Sequence, residues 1–319
     1  MPPRAMNHSS SNPLNALTID VEDWVQSVFD VELPLTDRFV RNTHRVLELL
    51  AAHHVRGTFF VLGLAAEKAP QLVRDIHTAG HEVQSHGYGH RLVTRQTPNE
   101  FRADVLRSKG TLEDILGAEI SGYRAPAFSI TRDTLWALDV LAECGFRYDS
   151  SIVPALSPRY GIRGAPRVPH RWKLENGASI TEVPVATLAM GPLSVPMGGG
   201  GYFRVFPSGL VRCAIEQINE AGHPTAIYLH PYEFAPEELG DLRREELGGR
   251  RISLKQRLHQ GLGRGTVAAK LSRLINGHRF STMQELIDAA APLPTWDART
   301  LRSKQGDVQD ILRREPILS

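Results

Sequence analysis

The sequence predicts an α/β fold in which a parallel sheet closes into a barrel with helices outside. Three observations predict it. Strand-like and helix-like runs alternate along most of the chain, the pattern of βα units. Asp20, His86, Arg124, Asp149 and His230 each fall just after a strand-like run, so they converge at the carboxyl-end face where such barrels carry their sites. An open doubly wound sheet would gather its site at one switch point, and no glycine-rich phosphate loop follows the first strand. A chain of 319 residues suits one such domain.

Taken in order, Ala16–Ile19 reads as a strand, and a helix over 37–52 presents Phe39, Val46 and Leu50 on its apolar stripe. Gly57–Leu62 is rich in β-formers and precedes a helix over 64–78. A strand over 81–85 leads to a loop kept out of helix by Gly87 and Gly89. Thr97-Pro98-Asn99-Glu100 is a capping signal that starts a helix over 98–116. A strand at 120–123, a helix over 131–144 and a short strand at 146–148 follow. Residues 152–205 are rich in Pro and Gly and read as irregular, with one strand at 179–185. Gly198–Gly201 is no phosphate loop, because Tyr202-Phe203-Arg204 rather than a helix follows it; a flexible or close-approach segment near the substrate is expected instead. A helix over 207–221 ends at Gly222, and 225–229 forms a last buried strand. C-terminal helices are expected at about 253–275 and 281–290, with loosely ordered tails at 1–13 and 291–319.

Composition excludes some functions. Lys and Arg number 37 against 35 Asp and Glu, a net +2, so no overall field draws the chain to nucleic acid or to an anionic membrane. Arginines 243, 244, 250, 251, 257 and 264 read mainly as solvated faces, with a weak role in holding an anionic ligand left open. Cys144 and Cys213 lie in apolar helical patterns and read as buried thiols. The N-terminal stretch lacks the apolar core of a signal peptide, and no apolar run is long enough to span a bilayer, so a cytoplasmic location is expected.

Three segments carry the chemistry: Thr18-Ile19-Asp20-Val21-Glu22-Asp23, Ser85-His86-Gly87-Tyr88-Gly89-His90 and Tyr228-Leu229-His230-Pro231. Each has a plain alternative, since acidic residues after strands often form turns and histidines are often satisfied locally. His77 and His81 share the spacing of His86 and His90 yet flank a helix end, so spacing alone decides nothing. What counts is co-occurrence at strand ends. Together the segments supply ligands for one divalent cation, a base for its water and an acid for a leaving group, the inventory of a metal-dependent hydrolase.

In this order the motifs Thr-Ile-Asp-Val-Glu-Asp-Trp, Gly-Thr-Phe-Phe-Val-Leu-Gly, Ser-His-Gly-Tyr-Gly-His, Tyr-Arg-Ala-Pro and Leu-His-Pro resemble the polysaccharide deacetylases of carbohydrate esterase family four, the NodB-like group. The wording around Asp-Val-Glu-Asp-Trp and His230-Pro231-Tyr232-Glu233-Phe234 is similar to the subfamily of exopolysaccharide and exosortase (PEP-CTERM) loci. The resemblance covers roughly residues 14–290. It implies a distorted (β/α) barrel of about seven strands with a C-terminal helical extension, one divalent metal, usually zinc, and an N-acetylated sugar polymer as substrate. It further implies Asp20 as general base, His86 and His90 as metal ligands, Arg124 as the residue that orients the base, and His230 as general acid. Asp149 matches a supporting position at the substrate.

Two departures shape the expectations. Val21 stands where the commoner motif has a second aspartate, so the carboxylate ligand is Glu22 or Asp23. Strand alternation puts Glu22 on the side of Asp20, whereas a loop beginning after Asp20 presents Asp23. Both are kept, with Asp23 preferred. Arg124-Ala125-Pro126-Ala127-Phe128 also lacks the usual glycine of the third motif. Among aromatic residues, Tyr88 and Tyr202 are candidates for stacking on sugar, as are Trp24, Phe128 and Trp172, each with core packing as the plain alternative. The expected reaction is hydrolysis of an N-acetyl amide on an exopolysaccharide or its lipid-linked precursor. A metal-independent hydrolase of cyclic amides or ureides and a non-catalytic carbohydrate-binding relative are the alternatives.

Overall fold

A computed structural model describes residues 12–155, 160–191 and 193–302. The first half alternates strictly: β1 (Asn15–Val21), α1 (Arg38–Ala52), β2 (Thr58–Val61), α2 (Gly63–Lys68), α3 (Pro70–Thr78), β3 (Glu82–Ser85), α4 (Pro98–Leu116), β4 (Gly122–Tyr123), α5 (Trp136–Glu143) and β5 (Tyr148–Asp149). Then come β6 (His170–Lys173), β7 (Ser179–Glu182), β8 (Thr187–Met190), β9 (Leu193–Pro196), α6 (Gly200–Val205), α7 (Ser208–Glu220) and β10 (Ala226–Leu229). The C-terminal part adds α8 (Leu254–Gly261), α9 (Val267–Gly277), β11 (Phe280–Ser281), α10 (Met283–Ala290), β12 (Thr295–Asp297) and α11 (Arg299–Arg302). Among the described residues no helix is long and apolar enough to cross a membrane.

The central sheet runs β10-β1-β2-β3-β4-β5-β7-β6-β12, with β11 also on β1. Every pairing in it is parallel except β6 with β7. A mostly parallel sheet needs cover on both faces, and all seven residues of β1 are buried, Asn15, Thr18 and Asp20 included. Buried polar groups need partners. Thr18 Oγ1 donates to the Ile227 carbonyl (2.8 Å), and the amides of Asn15 and Asn219 bond reciprocally at 3.0 and 2.9 Å. Isolated parallel bridges join Val185 to Ala226 and Gly199 to Tyr228, between the chain beyond β7 and β10.

Register positions the chemistry. Val21, Val61, Ser85, Tyr123 and Asp149 lie level across β1 to β5. Glu22, His86 and Arg124, each one residue further on, therefore leave the same edge. Ile19 is level with Leu229, which puts His230 beside Asp20.

Several elements differ from expectation for identifiable reasons. The helix over 64–78 is two, because Pro70 starts α3 at its first position and Ala69 leaves the helical region. The helix over 131–144 begins with a 3₁₀ turn at Arg132–Thr134. Residues 152–205 hold β6 to β9 rather than one strand, and Asn176-Gly177 between β6 and β7 is a hairpin signal. A helix, α6, does begin within the four glycines, at Gly200. The close approach is real: a Cβ on Gly199 would sit 1.8 Å from the Tyr228 carbonyl oxygen, and one on Gly198 2.7 Å from the Ala186 nitrogen. Beyond Pro292, β12 pairs with β6 and α11 follows, so that stretch is ordered as far as it is described. Cys144 is buried, but Cys213 is exposed on α7. Arg264 is no solvated face; it is buried, bonded to the Tyr232 carbonyl and paired with Glu238. The expected tails over 1–11 and 303–319 lie outside the described residues.

Candidate active site

The site is built at the carboxyl ends of β1, β3, β4 and β10. Because β1 continues through Val21, the two-residue period carries Glu22 to the side of Asp20. Glu22 Oε1 lies 2.9 Å from His86 Nε2, 3.0 Å from His90 Nε2 and 4.0 Å from His230 Nε2. Burial raises the Glu22 carboxyl, but the charges of His90 and His230 and the bonds from His86 and His90 outweigh it and hold it well below the usual range.

The His86 loop is tied down from several sides. His86 Nδ1 sits 2.8 Å from the Arg124 carbonyl oxygen, which can only accept, so Nδ1 carries a proton and, in the neutral ring, Nε2 offers a lone pair. Asp104 on α4 accepts the Tyr88 backbone N–H (2.9 Å), and Gln26 donates to the Gly89 carbonyl (3.0 Å). His90 then adopts left-handed backbone (φ 61°), which brings its ring back beside His86.

Arg124 is fully buried, and its guanidinium makes four hydrogen bonds. One terminal nitrogen bonds Asp20 Oδ1 and Thr18 Oγ1, both at 2.7 Å. The other reaches Ser150 Oγ (2.9 Å), while Nε meets the Ser150 carbonyl (3.1 Å). The Phe60 ring lies 4.3 Å from the guanidinium carbon. Such a pair fixes the Asp20 carboxylate in place and leaves it one uncommitted oxygen at the cleft.

His230 closes the opposite side. Its ring stacks on Tyr232 (4.8 Å between centroids), and Glu233 Oε2 meets both its Nδ1 (3.3 Å) and its backbone N–H (3.0 Å). Glu233 is itself paired with Arg204 at 3.0 Å. Burial alone would lower the imidazole; the carboxylates of Glu22, Glu233 and Asp20 instead raise it to about 9. Sequence reasoning assigned no role to Glu233 or Arg204. The signal available was the three-residue spacing of His230 and Glu233, that of a capping box, which they form.

Two donor groups converge: Glu22 with His86 and His90, and Asp20 with Glu22 and His230, the ligand atoms of each lying within 4.8 Å of one another. The first fits a divalent cation well. Its three buried groups aim acceptors at one point, an arrangement that repels unless a proton or a cation lies between them. The carbonyl behind His86 supplies the orienting bond that histidine ligands ordinarily have.

The other candidates are placed elsewhere. Asp23, preferred above as ligand, turns away: Oδ1 accepts the Val25 N–H at 2.8 Å and Oδ2 the Thr36 N–H, so it builds the turn after β1. The Tyr88 hydroxyl bonds Glu67 (2.7 Å) and its ring lies under Arg107, outside the cleft. Tyr202 stacks on Phe206 along α6 (5.9 Å) and does not line the cleft either. Asp149 is buried and bonds the hydroxyl of Ser151 at 2.5 Å; that hydroxyl oxygen accepts the Ala125 N–H at 2.8 Å, so Asp149 braces the Arg124 segment rather than facing the cleft. Trp24 and Trp172 are core residues, and Phe128 forms a cleft wall.

The cleft holds about 850 Å³. Among the described residues four non-glycine residues have positive φ, and three of them, His90, Ala127 and Phe128, line it. The third motif thus keeps a left-handed path without a glycine, at a cost of about 1–2 kcal/mol per residue. Strain of this kind gathers where the surrounding structure over-determines a functional geometry.

Comparison with known proteins finds similarity in sequence and in fold. Residues 18–148 match the family model described as polysaccharide deacetylase, and residues 150–288 match one described as a domain of unknown function. A peptidoglycan-N-acetylglucosamine deacetylase of Bacillus cereus is 32% identical over 98 residues, which is 30% of this chain and 36% of the relative. A peptidoglycan deacetylase of Helicobacter pylori is 31% identical over 109 residues, 34% of this chain and 36% of the relative. The chain thus aligns with about a third of the length of either. A crystal structure of a Mycobacterium smegmatis protein assigned as a polysaccharide deacetylase shares the fold, with a TM-score of 0.57, 21% identity, and coverage of 90% of this chain and 93% of that one. Over residues 18–148 the chain is thus similar in sequence to the polysaccharide deacetylases.

Proposed function

We propose that the protein is a metal-dependent hydrolase that removes N-acetyl groups from amino sugars of a bacterial exopolysaccharide or its precursor, releasing acetate. One observation carries the reading. His86, His90 and Glu22 aim at one point that has the Asp20–Arg124 pair on one side and His230 on the other. The relatives named for deacetylation of N-acetylated glycans support the reaction class. The bridges from Val185 and Gly199 to β10 support a distorted barrel with this cleft at its mouth, and residues 14–290 acting as one unit.

Glu22, His86 and His90 would hold the cation, with zinc suited to two imidazoles and one carboxylate. When bound, it supplies Lewis acidity that polarises the acyl oxygen and makes water a better nucleophile near neutral pH. The chain's own residues do the rest. Asp20, held in place by Arg124, takes a proton from the attacking water as its oxygen bonds to the acyl carbon. His230, held protonated by its carboxylate neighbours, gives its proton to the nitrogen as the carbon–nitrogen bond breaks. Glu233 holds the imidazole at Nδ1, leaving Nε2 to face the reacting nitrogen. The products are acetate and a free amine. Asp20 belongs to the second donor group as well, but one of its oxygens is committed to Arg124, so we assign it to proton transfer.

The test combines metal analysis of the purified protein with acetate release from N-acetylglucosamine oligomers and from the host's own polysaccharide. One divalent ion and acetate release, both lost in His86→Ala, are expected. Full activity in a chelated, demonstrably metal-free protein would sink the reading.

A further inference from the structure

None of the eight residues of α8 is buried, although its sequence is amphipathic. Leu254, Leu258 and, just past its end, Leu262 recur every four residues and are 72%, 66% and 58% exposed. Side chains four apart share a helix face, so these three form a stripe turned to solvent. Residues 250–264 hold five Lys or Arg and no Asp or Glu. Arg250 pairs with Asp30 and Arg264 with Glu238. Arg251, Lys255 and Arg257 have no acidic partner among the described residues. The near-neutral total charge hides this local excess.

The apolar patch continues to the rim of the cleft. Gln260 meets the Trp24 indole nitrogen at 3.5 Å, and its carbonyl accepts from Arg204. Gly263 packs on the Arg204 carbonyl, which brings the exposed Val205 to the Leu262 end of the helix. Arg250 holds Asp30, and Asp30, Val28 and Val31 all line the cleft, both valines being exposed. Six of the nine large exposed apolar residues among those described therefore lie along one rim. Scattered exposure needs no explanation, but a contiguous apolar patch with a cationic border does.

We infer that α8 and the adjoining rim dock the protein on an anionic lipid surface, with the cleft at the edge of the contact. An uncovered helix with an apolar stripe and free cations on its polar face is what lies in the plane of a bilayer interface. Lipid supplies both missing partners: acyl chains for the leucines and phosphates for Arg251, Lys255 and Arg257. A second copy of the chain would set this basic face against its own like charge, which disfavours self-association. At eight residues the helix lies on the surface and cannot span it. Combined with the deacetylase reading, on which this consequence rests, a glycan still joined to a lipid carrier would meet the cleft at the membrane surface.

Flotation of the full chain with vesicles tests the docking without reading turnover, so its failure is separable from failure of the deacetylase reading. The vesicles are phosphatidylcholine alone and a 2:1 mixture with phosphatidylglycerol. The wild type should float with the anionic vesicles and be released by salt. Lys255→Gln with Arg257→Gln should lower partitioning roughly 25-fold, about fivefold per cation. Leu254→Ser with Leu258→Ser should abolish it, with unchanged thermal melting showing the fold intact. Equal binding to neutral and anionic vesicles, or wild-type flotation of both double variants, overturns the inference. So does a dimer in sedimentation that the leucine variant dissociates while no vesicle binding is seen.

Discussion

Replacing Glu22 by Gln and, separately, Asp23 by Asn should have opposite consequences, although both are adjacent, buried carboxylic side chains. Glu22 Oε1 stands about 3 Å from two imidazole nitrogens, so Glu22→Gln keeps the shape and removes the one anionic donor of the set. Groups behind a metal's ligands are worth 10- to 100-fold in affinity. A directly ligating carboxylate should therefore cost at least about 100-fold. Asp23 instead accepts two backbone N–H groups. In Asp23→Asn the amide oxygen can replace one acceptor, but the NH₂ faces the other N–H, leaving a buried donor unsatisfied at about 1–3 kcal/mol. Metal affinity should then change little while melting falls by a few degrees. Isothermal titration with Zn²⁺ and thermal melting on both variants make the comparison. Weak binding by Asp23→Asn at unchanged melting, with normal binding by Glu22→Gln, would refute the reasoning from register and hydrogen bonds.

Three further outcomes follow from the site. His230→Ala should lower kcat by on the order of 10²–10⁴ with metal still bound, measured by acetate release beside metal content; unchanged turnover would mean another group protonates the amine. Asp20→Asn should collapse activity yet leave metal affinity near wild type, and it should cost about 3–5 kcal/mol of stability because Arg124 keeps its buried charge; affinity falling in step with activity would make Asp20 a ligand. The third concerns pH. His230 is raised from 6.5 to about 9, so the stabilisation from its protonated form is present below 6.5 and lost as pH rises through 9 in the metal-free protein. A cation on Glu22 offsets one of the raising charges, so the alkaline limb of kcat in the loaded enzyme should fall below 9. Glu233→Gln removes a second raising charge and should move that limb lower still; a limb that stays or rises would show that Glu233 does not act on His230.

Much of the scaffold was legible because its signals are local. The capping box of Thr97 and Glu100 is formed as the residues suggest, with α4 over Pro98–Leu116, and the apolar stripe of α1 is buried. What escaped depends on partners far along the chain. Strands β6, β8 and β9 are four residues each, too short for periodicity to show; β6 is held against β7 across the Asn176-Gly177 turn, and β8 and β9 pair with each other in a separate two-stranded sheet. Which of Glu22 and Asp23 faces the two histidines depends on where β1 ends. Its pairing with β2 runs through Val21, two residues beyond Ile19 where the apolar run stops, and that extension carries the alternation on to Glu22. Asp23 then serves its own turn two residues ahead, a habit of aspartate that the sequence does hint at. Tyr88 and Tyr202 were chosen for residue type and proximity in sequence, and neither predicts a side-chain direction set by Glu67, Arg107 or Phe206.

The site is divided between the two segments that the family models separate. Asp20, Glu22, His86, His90 and Arg124 lie in residues 18–148, whereas His230, Glu233 and Arg204 come from residues 150–288, matched only to a domain of unknown function. Sheet order explains why the division does not matter to the chemistry. Strand β10 pairs with β1 over four residues, so the last strand of the second segment flanks the first strand of the first. That pairing sets His230 level with Asp20, and the bond from Thr18 Oγ1 to the Ile227 carbonyl locks the register beneath them. A slip of one residue would turn His230 to the other face of the sheet and take the proposed proton donor from the cleft. The second segment therefore completes the site: it supplies the imidazole, the Glu233–Arg204 pair that orients it, and the strand that shields one edge of β1.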